Sequence, residues 1–158
     1  MSADSHSDAA FLARLAALAP TDGAFDAALA LTLAHFRAES GTIHSLAGAQ
    51  LHLRAHSPGM PAPVLALIRL IPVGKGMAGL AVERRAPVTA CNLQTDTSGD
   101  VRPGARATGL AGSIVVPLLR DADPVGALGI ANRAERTFSE GEVALLLAAG
   151  RVLAGWGA

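Results

Sequence analysis

The sequence predicts an α+β fold. A five- to six-stranded antiparallel sheet carries the terminal helices on one face and short helices with a long loop on the other. Three observations lead there. Apolar residues recur at helical intervals at both ends of the chain. Between the ends the pattern changes to the two-residue alternation of half-buried strands. Two strong strand runs late in the chain are joined by a short polar turn, as in a hairpin. Helices set apart from a run of antiparallel strands build an α+β domain rather than a parallel α/β one.

The elements follow in order. Residues 1–7 are polar and are expected to be disordered, with one domain covering 8–158. Ser7 or Asp8 can cap a first helix running to about Ala19, in which Phe11, Leu15 and Leu18 share a face. Pro20 to Gly23 breaks it, and Asp22 can cap a second helix carrying Phe25, Leu29, Leu33 and Phe36 at helical spacing. Strands are predicted at Thr42–Leu46 and Leu51–Ala55. In the second, Leu51, Leu53 and Ala55 alternate with His52 and Arg54, so one side is buried and the other wet. A short helix starts near Pro61, where the missing N–H is harmless, and stops before Pro72. Another spans Met77–Arg85, and Val88–Cys91 reads as a central strand.

Asn92 to Gly112 is a long polar connection without periodicity. Ser113–Leu119 and Val125–Ala131 form the hairpin, with Arg120 to Pro124 as its turn. The last helix opens at Ser139, where Glu142 three residues on completes a capping box, and runs to about Ala154.

Composition removes whole classes of function. The 13 basic and 13 acidic side chains cancel, which argues against bulk nucleic acid or an anionic membrane as partner. Four Phe, one Trp and no Tyr leave no aromatic platform for single-stranded nucleic acid. The single cysteine, Cys91, cannot form an internal disulfide and fits a reducing, cytoplasmic setting. The N-terminus has no basic, apolar secretory pattern, and no stretch reaches the length of a membrane span.

Gly74, Gly76 and Gly79 spell G-x-G-x-x-G before a helix. A dinucleotide site needs a strand immediately before the glycines, and here a helix and Pro72 are predicted instead. The glycines are therefore read as a tight turn with close helix packing, and Lys75 as able to meet an anion. Cys91 is expected to be a small buried residue, the commonest state of a free cysteine, with a redox thiol or chromophore attachment as the alternative. No Lys, Arg or His adjoins it to lower its pKa. His44 and His52 fall on paired strands but on opposite faces, and no histidine has helical ligand spacing, so no metal site is expected. They are read as solvated or hydrogen-bonded.

The 92–112 segment has the length of a lid or binding loop. Its Asn92, Asp96, Arg102 and Arg106 offer donors and both signs of charge, and the two arginines suit a carboxylate or phosphate. A ligand site is expected between this loop, Cys91 and the Lys75 turn. Candidate binding residues are Lys75, Cys91, Asn92, Asp96, Arg102 and Arg106, and no catalytic residue stands out.

Five local sequences in this order resemble the GAF domain family. Ile71 to Ala81 is similar to that family's glycine-rich turn and helix, and Pro87-Val88 to the start of the strand after it. Ser113 to Leu118 and Gly126 to Ile130 are similar to its last hairpin, and Asn132-Arg133 with Phe138-Ser139-Glu140 to the passage into its last helix. The resemblance covers about Phe25 to Ala154. It implies a six-stranded antiparallel sheet with a pocket on one face for cyclic nucleotides, tetrapyrroles, haem or small metabolites. It also implies terminal helices that pair in homodimers.

Asn132 and Arg133 with the acids at 140 or 142 are similar to the cyclic-nucleotide signature, although Arg133 stands for Lys and the acid is displaced. A surface ion pair beside a helix start is the expected role. Ser113 to Leu118 is also similar to free methionine-R-sulfoxide reductases. Those enzymes need a nucleophilic and a resolving thiol, and Cys91 alone cannot supply both.

The functional expectation is a small-molecule sensor or binding domain acting through dimerisation or a signalling partner, and not an enzyme. No kinase, cyclase or DNA-binding segment is attached, so output is expected to pass through that partner. A ligand-free interaction module is the alternative, its dimer seam drawn from residues 11–36 and 143–153. A thiol-dependent redox enzyme ranks last.

Overall fold

The computed structural model describes residues 3–18 and 21–156. Its order is α1 (Ala3–Leu18), α2 (Ala24–Phe36), β1 (Ser40–Ala47), β2 (Gln50–His56), α3 (Ala62–Ile68), β3 (Leu70–Pro72), α4 (Gly76–Arg84) and β4 (Val88–Ala90). A 3-10 turn at Pro103–Thr108 follows, then β5 (Ser113–Arg120), β6 (Asp123–Ala131) and α5 (Glu140–Ala154). The six strands form one sheet in the order β3-β2-β1-β6-β5-β4, and every pairing is antiparallel. The α+β expectation holds.

Each face of the sheet has its own core. On one, Ile43, Ala55, Ile114, Val116, Leu118, Leu128 and Ile130 pack against α1, α2 and α5 through Phe11, Leu15, Leu29, Phe36, Leu146 and Leu153. Burying each Leu, Ile or Phe here contributes about 1.5–3 kcal/mol relative to exposure. On the other, Leu51, Ile71, Val88, Val115 and Ala127 meet Ala81 and Val82 of α4. In the terminal helices, where the dimer seam is expected, Phe11, Leu15, Leu29, Phe36, Leu146 and Leu153 are buried within the chain, while Leu12, Leu31, Leu33, Val143 and Leu147 are only partly buried.

Several local expectations are corrected. Residues 3–7 are helical rather than disordered, so Ser7 and Asp8 lie inside α1 and do not cap it. Asp8 instead meets His35 Nε2 at 2.8 Å, and Phe11 stacks on the His35 ring, tying α1 to α2. Ala19 and Pro20, the expected helix end and first break residue, lie outside the described residues. Gly23, not Asp22, occupies the N-cap of α2, with no side-chain cap.

In β2 the expected one-sided burial fails. The pairing with β1 skips Arg54, opposing Ile43-His44 to Ala55-Leu53. Such a bulge inverts the facing of what lies beyond it. Leu51 therefore joins the core under α4 and Ala55 the core under the terminal helices. The predicted helix up to Pro72 is cut short by β3, whose three residues are too few to show a period. A strand does therefore precede the glycines, but it is an antiparallel edge strand. Strand β4 lies at the other edge, not at the centre.

The capping box at α5 is present. Ser139 Oγ accepts from the Glu142 N–H at 3.1 Å, Glu142 Oε1 accepts from the Ser139 N–H at 3.0 Å, and Arg136 donates to Glu142 Oε2 at 2.7 Å. Ser139→Ala removes one half of this exchange and should cost about 1 kcal/mol. That loss lowers Tm by about 2–4 °C in a domain of this size, measurable by calorimetry.

A cavity beneath the polar crossover

Strand β6 decides what the second face of the sheet can hold. Its large residues, Leu128 and Ile130, point into the helix core. Its alternate residues, Ala127, Gly129 and Ala131, face the other way and are small. Under α4 the gap over Ala127 is filled by packed side chains. Beyond α4 it stays open as a cavity of about 310 Å³, at the small end of the range for small-molecule sites. Its floor is Thr42 and His44 of β1, Gly129 and Ala131 of β6, and Ser113 and Val115 of β5. Its walls and roof are Val64, Leu67 and Ile68 of α3, Ile71 of β3, Lys75 to Ala78, and Leu93, Val101, Arg102 and Gly104 of the crossover.

The glycine turn is shaped by close approach. A Cβ on Gly79 would collide with the Pro72 carbonyl oxygen, and the Gly74 N–H donates to the Gly79 oxygen at 2.9 Å. This pins the start of α4 onto the end of β3. Gly76, at φ +63°, lets the aliphatic stem of Arg102 lie against the backbone, since a Cβ there would be 2.9 Å from Arg102 Cδ. Lys75, next in sequence, and Arg102 both line the cavity, and both are exposed. No side chain caps α4, so its positive end faces the same space through Gly76, Met77 and Ala78.

The crossover is an ordered roof. Leu93 is its buried anchor, with its N–H donating to Ala111 O at 2.8 Å, and Ala111 N–H donates to Asn132 O at 2.7 Å. Gln94 Nε2 donates to Arg106 O and Leu110 O, closing the segment on itself. Arg84 of α4 makes a two-pronged pair with Asp100, at 2.8 and 3.0 Å, and hydrogen bonding from Arg84 holds the Asp100 carboxyl below its ordinary value.

Of the six residues singled out in the sequence, two reach the cavity: Lys75 and Arg102. The other four do not line it. Asn92 bonds Glu135 and the Gln94 N–H, Asp96 accepts from Ser98, and Arg106 donates to the Asp96 carbonyl at 3.1 Å, so all three serve the fold of the crossover. Cys91 is exposed, contrary to the expected burial. The alternation of β4 explains it: Val88 and Ala90 face in, Thr89 faces out, and Cys91 is next. Arg133 pairs with Glu39 at 3.5 Å rather than with an acid of α5, and it is Arg136 that pairs with Glu142.

Sequence reasoning missed the part played by His44. It is 1% exposed and lines the cavity. Its Nε2 lies 2.8 Å from the Ile68 carbonyl oxygen and must donate to it, which leaves Nδ1 as a lone-pair acceptor. Nδ1 is buried with no partner among the described residues, a state that costs about 1–3 kcal/mol. His44 is paired with Leu53 and Ser45 with His52, so the two histidines do face opposite ways. Among the described residues no group of three or more His, Cys, Asp or Glu is placed to hold a metal, and no helix is long and apolar enough to cross a membrane.

The GAF family model matches residues 8–154, nearly the whole chain. The chain belongs to the GAF domain family. No curated protein sequence matches it. Among solved structures, this GAF domain is similar to that of the Acinetobacter phosphoenolpyruvate-protein phosphotransferase, at 18% identity and a TM-score of 0.79 over 99% of this chain and 93% of that one. It is also similar to free methionine-R-sulfoxide reductase from Neisseria meningitidis in complex with its substrate, at 18% identity and a TM-score of 0.77 over 99% and 91%. A third is the nlh2 GAF domain of A. aeolicus in an inactive state, at 14% and 0.74 over 97% and 96%. Identities this low establish a shared fold, which both signalling domains and a reductase adopt.

Burial pushes the His44 pKa below its ordinary 6.5, against the Ile68 hydrogen bond that raises it. The unfolded chain then takes up a proton that the native state refuses, so stability is complete above about pH 6.5 and falls as pH drops below it, levelling off under the folded pKa. Tm measured between about pH 7.5 and 5 should decline across this window. The His44 ring, followed by NMR, should remain neutral below pH 6.5.

Proposed function

We propose that this GAF domain is a cytoplasmic small-molecule sensor that binds its ligand in the cavity and signals through a second copy or a partner protein. The observation that carries this reading is the cavity itself, open on a face whose other half is fully packed. Its walls come from α3, the glycine turn and the crossover, so a bound molecule would contact segments distant in sequence and stabilise their arrangement.

A route to the opposite face supports a signalling role. Ser113 and Val115 of β5 line the cavity, while Val116 and Leu118 of the same strand pack under α5. Gly150 of α5 lies close against the strand: a Cβ there would be 3.3 Å from the Pro117 oxygen. Displacement of β5 on binding would therefore be felt by the terminal helices. A binding role rather than a redox one is favoured by the position of Cys91, outside the cavity and with no second thiol in the chain. The competing reading, a ligand-free interaction module, draws on Leu67 of α3 and Leu70 of β3, which are 55% and 47% exposed.

Thermal shift against a broad metabolite panel tests the first reading. A ligand at a hundred times its Kd stabilises by about 2.7 kcal/mol, which corresponds to about 5–11 °C at this chain length. Gly129→Leu, which extends a side chain over the cavity floor, should remove the response while leaving a folded protein by circular dichroism. Absence of any response in the parent, with self-association that Leu67→Ser and Leu70→Ser abolish in sedimentation, would favour the interaction module.

A further inference from the structure

Resting on the reading of the cavity as a ligand site, we propose that its ligand is a small organic anion with an apolar body, whose anionic head is met by Lys75 and Arg102.

The charged residues that line the cavity have one sign. Among the described residues no Asp or Glu lines it, and neither Lys75 nor Arg102 forms an ion pair. The missing side chain of Gly76 leaves space for the Arg102 stem, which brings Arg102 against the turn that carries Lys75. A guanidinium paired with an ammonium recognises carboxylate and phosphate alike, with the planar fork giving direction and the ammonium a point charge. The nearby uncapped start of α4 adds positive potential.

Most of the remaining wall is apolar, from Val64, Leu67, Ile68, Ile71 and Val115. A headgroup alone would leave that surface unfilled, so the body of the ligand is apolar.

Calorimetric titration of the full chain with matched compounds tests the charge requirement. One set is 4-hydroxybenzoate, 4-hydroxybenzamide and 4-hydroxyphenyl phosphate. A second is indole-3-acetate and indole-3-acetamide. The acids should bind. Neutralising the head as the amide should weaken binding about tenfold or more. The phosphate arm separates the two kinds of anion. Lys75→Ala with Arg102→Ala should erase the preference for acid over amide.

Amides binding as tightly as acids would overturn the proposal. The same protein equilibrated with a macromolecule-free cell extract, then read by native mass spectrometry, covers ligands outside the two sets. Recovery of an organic anion supports the proposal. Recovery of a neutral or cationic molecule overturns it while leaving the sensor reading intact. If nothing binds in either experiment, the sensor reading falls first.

Discussion

Strand β6 must satisfy two faces of one sheet with a single side-chain alternation. Its Leu128 and Ile130 complete the core beneath α1, α2 and α5, while Ala127, Gly129 and Ala131 keep the other side thin. Because successive side chains point to opposite faces, neither set can change without the strand keeping its register. That register is held on both sides, by β1 and by β5 along eight residues of pairing. Large residues on the thin side would turn the cavity into a second packed layer. Small residues on the helix side would leave the terminal helices nothing to bury. The helix core and the cavity are thus two results of one pattern.

The cavity needs a cover as well as a floor, and the cover is assembled from three separate devices. Gly79 admits the Pro72 carbonyl and so fixes α4 against β3. Leu93 and the Ala111–Asn132 bond anchor the two ends of the crossover. The Arg84–Asp100 pair joins its middle to α4, although exposed pairs of this kind contribute little stability by themselves. With few apolar anchors and exposed polar contacts, this layer is held less firmly than the helix side, as is usual for segments that respond to ligands.

Much of the fold was legible. The terminal helices, the capping box at Ser139, the final hairpin and the division of faces all follow from strong, long periodic patterns. The failures were local and have physical causes. The bulge at Arg54 swapped the facing of Leu51 and Ala55, which no strict alternation can reveal. Strand β3 is three residues long and follows directly on a helix. Cys91 was assigned by the average behaviour of cysteine, whereas its exposure follows from its place in the alternation of β4. In the site, Lys75 was legible because it sits inside a glycine turn that opens a helix. Arg102 was legible only as one of several polar residues in a long loop. The small residues of β6 were the available signal for a cavity, and they passed as ordinary hairpin residues.

By itself the sequence determined the class of the fold, the family, and the absence of any second thiol for Cys91. Those conclusions depend on periodicity, order along the chain and composition, all of which are properties of near neighbours or of totals. Only the tertiary structure decided that Lys75 and Arg102 line one cavity, that Asn92, Asp96 and Arg106 serve the loop, and that His44 keeps a buried nitrogen without a partner among the described residues. Each of these depends on elements that are distant in sequence and meet only after the sheet has closed. Pairings across such distances leave no trace in local spacing.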